Sequence, residues 1–293
     1  MALFDAYVMV DWSAAAVPTT GRDSIWIAIA AARSERAENP PTRGAAMASL
    51  RATLLRLRGQ GKRVLVGFDF PFGYPAGFAA ALGLEQGNWR ALWRFFADAF
   101  ADGADNANDR FRVAGRINRE RFGGLFPFWG HPPGRRIAGL SKGKRHGFAQ
   151  RPFAERRACE LRPGARSAKT VWQLAYTGSV GSQVLLGLPR VLALREDEAL
   201  RDDTRVWPFE TRCRGDDRPP VVIAEIWPSL WPEAWRELEG RAACKDEAQV
   251  RGLARHLARL DRADLLAAML DPPLPPETSA RMAAEEAWIL GVA

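Results

Sequence analysis

The stretch YVMVDWS at residues 7–13 places an acid, Asp11, directly after four residues that are typical of a buried strand. A carboxylate in that position is costly unless a partner stabilises its charge. Similar apolar stretches with an acid occur three more times, in VLVGFDFPFGYP (64–75), VVIAEIWPS (221–229) and DRADLLAAML (261–270). They present Asp69, Glu225 and Asp264. We therefore expect strands that deliver acids to one edge of a sheet.

Converging carboxylates suggest a metal site, because they repel one another and raise each other's pKa. A bound divalent cation is the usual way to relieve that repulsion. Asp11 and Asp69 have an alternative role as turn-forming residues that close their strands. Glu225 is harder to explain in this way, since Glu is a weak turn former and is depleted in strands.

The role expected for Asp264 depends on the phase of a C-terminal helix. At the helical period, the acid shares one stripe with apolar positions that should be buried, Leu253, Leu257, Leu260 and Ala268. Asp246 and Val250 continue this stripe if the helix is unbroken. Asp264 could instead cap a separate helix, and Asp261 is then the substitute candidate.

The order of apolar patterns along the chain predicts a single α/β domain over residues 1–293. Strands are expected at 6–12, 23–31, 62–70 and 221–227, with an edge strand at 205–211. Helices are expected at 44–60, 76–83, 88–101, 231–239, 245–258, 261–270 and 278–286. Residues 170–194 suggest short helices around a Gly-Ser turn, and 103–170 an insertion with little regular structure. Parallel pairing through helical crossovers is the natural assembly.

Positive charge is concentrated in one segment of the chain. The net charge is +8, and residues 131–169 hold eleven Lys and Arg against two acids. Such a segment suits nucleic acid or another phosphate-rich partner, although a solvated loop would have the same composition. The candidate phosphate contacts are Arg135, Arg136, Lys142, Lys144, Arg145 and Lys169. Phe128 or Trp129 is a candidate for stacking on a base.

Several other functions lack their sequence signatures. The three cysteines show no CxxC spacing and the histidines no HExxH spacing, so zinc chemistry is unsupported. TGSVGSQ at 177–183 lacks the P-loop lysine, and it is read as a packing turn or an anion-holding turn. No apolar run is long enough to span a membrane, and no signal peptide is evident. A cytoplasmic protein is expected.

The placement of the four acids, three after strands and one in a C-terminal helix, resembles that of the ribonuclease H-like fold. This is a three-layer fold with a central mixed sheet flanked by helices. Five motifs resemble the domain of unknown function 429 family, namely VDWSA (10–14), VGFDFPFGYP (66–75), AEIWPS (224–229), ADLLAAM (263–269) and EEAWILG (285–291). Members of that family are predicted to be metal-dependent nucleases. Trp12 and Phe70 depart from the small aliphatic neighbours usual in the family.

The resemblance implies a phosphodiester hydrolase that uses two Mg²⁺ or Mn²⁺ ions. Asp11 would bridge the ions, and Asp69, Glu225 and Asp264 would complete their coordination. Glu225→Gln is then expected to abolish activity and to raise thermal stability without metal, because it relieves repulsion.

Two other classes of function remain open at this point. One is a nucleotide-dependent phosphotransferase of the actin or sugar-kinase kind. The other is a non-catalytic binding protein, associated with nucleic acid or with cofactor biosynthesis. DNA, RNA, a nucleotide and a smaller phosphoester are all possible substrates.

Overall fold

The computed structural model describes residues 2–31, 34–145, 147–214 and 217–293. Within them six strands form one mixed sheet in the order β3-β2-β1-β4-β6-β5. The strands are β1 (Ala6–Asp11), β2 (Trp26–Ala31), β3 (Ser34–Glu38), β4 (Val64–Phe68), β5 (Thr204–Val206) and β6 (Val221–Glu225). β2 is antiparallel to both β1 and β3, whereas β1, β4, β6 and β5 are mutually parallel.

The central strands are buried on both faces, as their continuous apolar runs predict. Successive side chains of β1 point to opposite faces of the sheet. Val8 and Val10 enter one hydrophobic core, and Tyr7 and Met9 enter a second core on the other face. The sheet therefore separates two cores.

Helices cover both faces of this sheet. They are α1 (Arg43–Gly59), α2 (Phe78–Ala81), α3 (Trp89–Ala99), α4 (Arg110–Phe122), α5 (Gly181–Arg195), α6 (Lys245–Arg262), α7 (Leu266–Leu270) and α8 (Pro276–Arg281). α1 to α5 contribute side chains such as Leu54 and Trp93 to the first core. α6 and α7 contribute Leu253 and Leu266 to the second. The expected α/β class, a mixed sheet flanked by helices, is confirmed.

Local structure differs from the sequence prediction at several points, including strand β3 (Ser34–Glu38), which no expected strand covers. The segment 103–170 contains the 13-residue helix α4, so the expected lack of regular structure is wrong there. α5 is one continuous helix despite Pro189 within it. The helix expected at 231–239 is instead a pair of short 3₁₀ turns, Pro232–Ala234 and Arg236–Leu238.

The parallel strands determine where a ligand is expected to bind. The carboxyl ends of β1, β4 and β6 lie at one edge of the sheet, where open α/β sheets commonly bind ligands. Across the described ranges, no helix has both the length and the apolar character that a membrane span requires.

Candidate active site

Three of the predicted acids end neighbouring parallel strands. Asp11 is the last residue of β1, Asp69 follows β4, and Glu225 is the last residue of β6. The ends of β1 and β4 are tied by a hydrogen bond from the Asp69 amide to the Val10 carbonyl at 2.9 Å. Phe68 of β4 pairs in register with Glu225. The fold thus brings these three acids to the same edge.

Asp11 and Asp69 form the electrostatic centre of this edge. Burial raises the pKa of Asp11 well above its usual value, and the charges of Asp69 and Asp246 raise it further. Burial also raises the pKa of Asp69 to about 7, with further contributions from Glu225 and Asp246. Neither aspartate forms an ion pair with any residue that the structure describes. Within the described ranges, their repulsion is therefore not offset by an ion pair.

Asp246, in the first turn of α6, is an acid of this edge that sequence reasoning did not assign. Its carboxylate accepts a hydrogen bond of 2.7 Å from the Asp23 amide. Its pKa is raised, chiefly by burial. An acid near a helix N-terminus is favoured by the helix dipole. The helical pattern of the sequence could have indicated Asp246, because this residue lies on the same buried stripe of α6 as Val250 and Leu253.

Asp264 does not belong to this group, which corrects the expectation from the helix pattern. It lies just past the C-terminal end of α6, is exposed, and has a left-handed φ of 58°. An 18-residue helix is about 27 Å long, so Asp246 and Asp264 lie at opposite ends. The substitute candidate Asp261 is also far from the edge, since it accepts hydrogen bonds of 2.8 Å from the amides of Leu3 and Phe4, before β1 begins.

Glu225 lies near the other acids, but its carboxylate is already held in an ion pair. Nη1 of Arg157 lies 2.7 Å from Oε2 of Glu225, and Nη2 lies 2.7 Å from Oε1. The Phe72 amide donates to Oε2 at 2.9 Å. Both side chains of the pair are buried. The structure therefore assigns Glu225 to an ion pair rather than to a metal, and Arg157 is a buried structural residue of the basic segment.

A cleft of about 740 Å³ opens at this edge. Asp11, Asp23 and Asp246 contribute its acidic lining, and Arg110 at the start of α4 contributes a cation. The remaining wall includes residues 178–180 and the first turn of α5. Gln183 of that turn is fixed by a 2.6 Å hydrogen bond from its Nε2 to the Trp12 carbonyl. The cleft thus combines an acidic group with a separate basic residue.

The predicted basic contacts are mostly at the surface, and part of their segment borders the cleft. Arg135, Arg136, Lys142, Lys144, Arg145 and Lys169 are all exposed. Lys144 forms an ion pair of 2.5 Å with Glu155. Pro132 lines the cleft, and a Cβ on Gly178, another lining residue, would lie 3.4 Å from Cε of Lys169. Lys169 is therefore at the rim.

The two candidates for base stacking are packed into the protein. Phe128 is fully buried, with its ring centroid 5.5 Å from that of Trp172. Its backbone is held on both sides by the Asn118 amide group. Phe128 therefore cannot stack on a base, which corrects that prediction. Trp129 is half-buried and packs against the first core, and its Nε1 has no partner among the described residues.

In the described ranges, no group of three or more His, Cys, Asp or Glu side chains is positioned to hold a metal ion by itself. Comparisons with family models, curated proteins and solved structures found no match.

We predict that Glu225→Gln lowers stability, which reverses the sign expected from sequence. Gln would remove one of the two carboxylates that pair with the buried Arg157 and leave only Glu160, and removing one partner of a buried pair costs at most about 3–5 kcal/mol. Urea unfolding without metal measures this cost. Glu196→Gln is the matched control, because Glu196 pairs with Arg90 and Arg94 where all three are partly exposed and should lose at most about 1 kcal/mol. A melting temperature for Glu225→Gln at or above that of the unchanged protein would refute the ion-pair role.

We predict that the Asp69 carboxylate destabilises the metal-free protein at neutral and higher pH. The pKa of Asp69 in the folded state, about 7, exceeds the unfolded value near 3.8. As the pH is lowered, the folded state therefore takes up a proton before the unfolded state does. The resulting stabilisation appears as pH falls through 7 and is lost as pH rises.

In EDTA, Asp69→Asn should therefore melt above the unchanged protein at pH 8, and the difference should narrow by pH 5. Asp202→Asn is the control, since that side chain is 92% exposed, and its melting curve should follow the unchanged protein at both pH values. If the difference in melting temperature between Asp69→Asn and the unchanged protein is the same at both pH values, repulsion at this residue is not the cause of that difference.

Proposed function

We propose that the protein is a metal-dependent phosphodiester hydrolase whose acids are Asp11, Asp69 and Asp246. The observation that carries the proposal is the position of Asp11 and Asp69 at the carboxyl ends of adjacent parallel strands, where neither has an ion-pair partner among the described residues. Burying like charges without a partner is unfavourable, and active sites are where such arrangements are common. The adjoining cleft provides space for a substrate.

We also propose that the fold is ribonuclease H-like. Support comes from the mixed sheet with helices on both faces, which agrees with the architecture implied by the sequence motifs. Further support comes from the acids at the ends of β1 and β4. Membership of the domain of unknown function 429 family remains part of this proposal and rests on those motifs.

The donor set of this acidic group suits Mg²⁺ or Mn²⁺. All donors are carboxylate oxygens, and Mg²⁺ is usually held by one or two carboxylates together with waters and substrate phosphates. Asp11 and Asp69 would hold the ion, with Asp246 beside them. Because Glu225 is paired and Asp264 lies elsewhere, the acids suit one ion better than the two implied by the resemblance.

A bound ion would supply Lewis-acid stabilisation of the phosphoryl oxygens and a more acidic water. The chain's own residues would do the remaining work. Asp246, anchored by the Asp23 amide, is placed to accept a proton from an attacking water in the cleft. The Arg157–Glu225 pair would keep the end of β6 rigid, so that Asp69 on the neighbouring strand keeps its position.

Nucleic acid is the substrate class that we propose. The exposed arginines and lysines of 131–169 and the position of Lys169 at the cleft rim support it. Side chains of this kind contact phosphates without reading base sequence. We therefore expect activity on single-stranded DNA or RNA of many sequences.

The direct test is cleavage of labelled single-stranded DNA and RNA by purified protein with Mn²⁺. Asp11→Asn and Asp246→Asn should each lower the rate by about 100-fold or more, as loss of a group that stabilises a transition state does. Asp264→Asn is the matched control and should leave the rate within about two-fold, because Asp264 lies at the far end of α6. Equal rates for Asp11→Asn and the unchanged protein would point to a contaminating nuclease and remove the proposal.

A further inference from the structure

Arg110 is a cation of the cleft, and the groups that hold it among the described residues are neutral. It opens α4, and its Nε donates to Oγ of Ser182 at 2.8 Å. Its Nη1 donates to Oδ1 of Asn108 at 2.6 Å. The guanidinium lies 4.4 Å from the ring centroid of Phe111. These contacts fix the orientation of the side chain without neutralising its charge.

The carboxylate of Asp102, whose charge acts on Arg110, is already paired with other arginines. Asp102 forms ion pairs with Arg43 and with Arg190 at 2.7 Å. Its charge is thus shared between two cations before Arg110 is counted. No carboxylate forms an ion pair with Arg110 among the residues that the structure describes. This corner of the cleft therefore carries excess positive charge.

A guanidinium in this state still has donors to offer. Arginine has five N–H groups, of which the two hydrogen bonds to Ser182 and Asn108 use two. The remaining N–H groups have no acceptor in the described ranges. Planar N–H pairs of this kind match the oxygens of a phosphate.

The acids and Arg110 reach the cleft from opposite faces of the sheet. Asp246 is carried by α6, whose apolar side chains belong to the second core. Arg110 is carried by α4, which packs with Val113 and Ile117 in the first core. Both residues nevertheless line the same cleft. A ligand that fills the cleft would therefore contact both the acids and Arg110.

We propose that Arg110 binds a non-scissile phosphate of the substrate, so that the strand crosses the cleft from Arg110 to the acidic group. This inference rests on the proposed function, and it adds that the substrate carries at least two phosphates. The start of α5, which lines the same wall, contributes the positive end of a helix dipole.

The test is binding of a fluorescein-labelled thymidine decanucleotide in EDTA over a range of salt concentrations. Arg110→Gln should weaken binding by about ten-fold and make the plot of log affinity against log salt shallower by about 0.7, the contribution of one phosphate contact on a single strand. Arg110→Lys should keep the steeper slope, because the charge remains. The slope separates a lost phosphate contact from a merely structural effect.

Arg112→Gln is the matched control, since Arg112 lies on the same helix with its side chain 68% exposed, and its affinity should stay within about two-fold. Arg110→Gln with unchanged slope and affinity would overturn the inference, and so would a decanucleotide that the unchanged protein does not bind at low salt. If Arg110→Gln shows the expected loss while no variant or condition gives Mn²⁺-dependent cleavage, the phosphate site stands and the hydrolase proposal fails.

Discussion

The repulsion between Asp11 and Asp69 is the constraint on which the rest of the site depends. The two aspartates end adjacent parallel strands, and the backbone bond between Asp69 and Val10 holds the strand ends level. The sheet therefore fixes the backbones of Asp11 and Asp69 next to each other. A fold that fixes two carboxylates in this way has a strong need for a cation or for protons at this edge.

Buried hydrogen bonds around the acidic edge keep it rigid. Arg157 ties the segment that precedes α5 to β6 through Glu225, and it pairs with Glu160 within its own segment at 2.8 Å. Glu285 accepts hydrogen bonds from the amides of Gly77 and Ala79, after β4. Burial raises the pKa of Glu285 to about 7. The C-terminal segment is thereby part of the framework that positions Asp69.

Close packing in the same region explains one of the glycines. A Cβ on Gly73 would lie 2.3 Å from the carbonyl oxygen of Glu285, so only glycine allows the two segments to approach. The loop after β4 and the residues before the C-terminus therefore fit together as one unit. The acids depend on packing far from them in sequence.

Except for β3, the sequence predicts the strands, and it predicts that Asp11 and Asp69 lie at strand ends, because both patterns are local. Continuous apolar runs are typical of central strands, and an acid at the end of such a run can be read directly, as for Asp11. Asp246 was not assigned because the phase of α6 gave Asp264 the same stripe. Asp246 and Asp264 are distinguished only by the direction in which α6 crosses the sheet, which is a property of the tertiary fold.

Long-range partners could not be predicted from the residues alone. Arg157 and Glu225 are 68 positions apart in the sequence. Nothing in the basic segment indicates that Arg157, rather than another of its basic residues, is buried and pairs with β6. Phe128 has the aromatic and glycine-rich neighbours of a binding loop, yet it packs against Trp172. Arg110 was equally invisible, since its role follows from the lack of a carboxylate partner among the described residues.

The measurement that tests the acidic group most directly is anomalous diffraction from crystals grown with Mn²⁺. If repulsion between Asp11 and Asp69 is relieved by a metal, a strong anomalous peak should lie about 2.2 Å from an oxygen of each carboxylate, close to the distance for Mg²⁺. A map with no peak there, at a Mn²⁺ concentration that labels other sites and at a pH above 7, would contradict a metal centre at this edge.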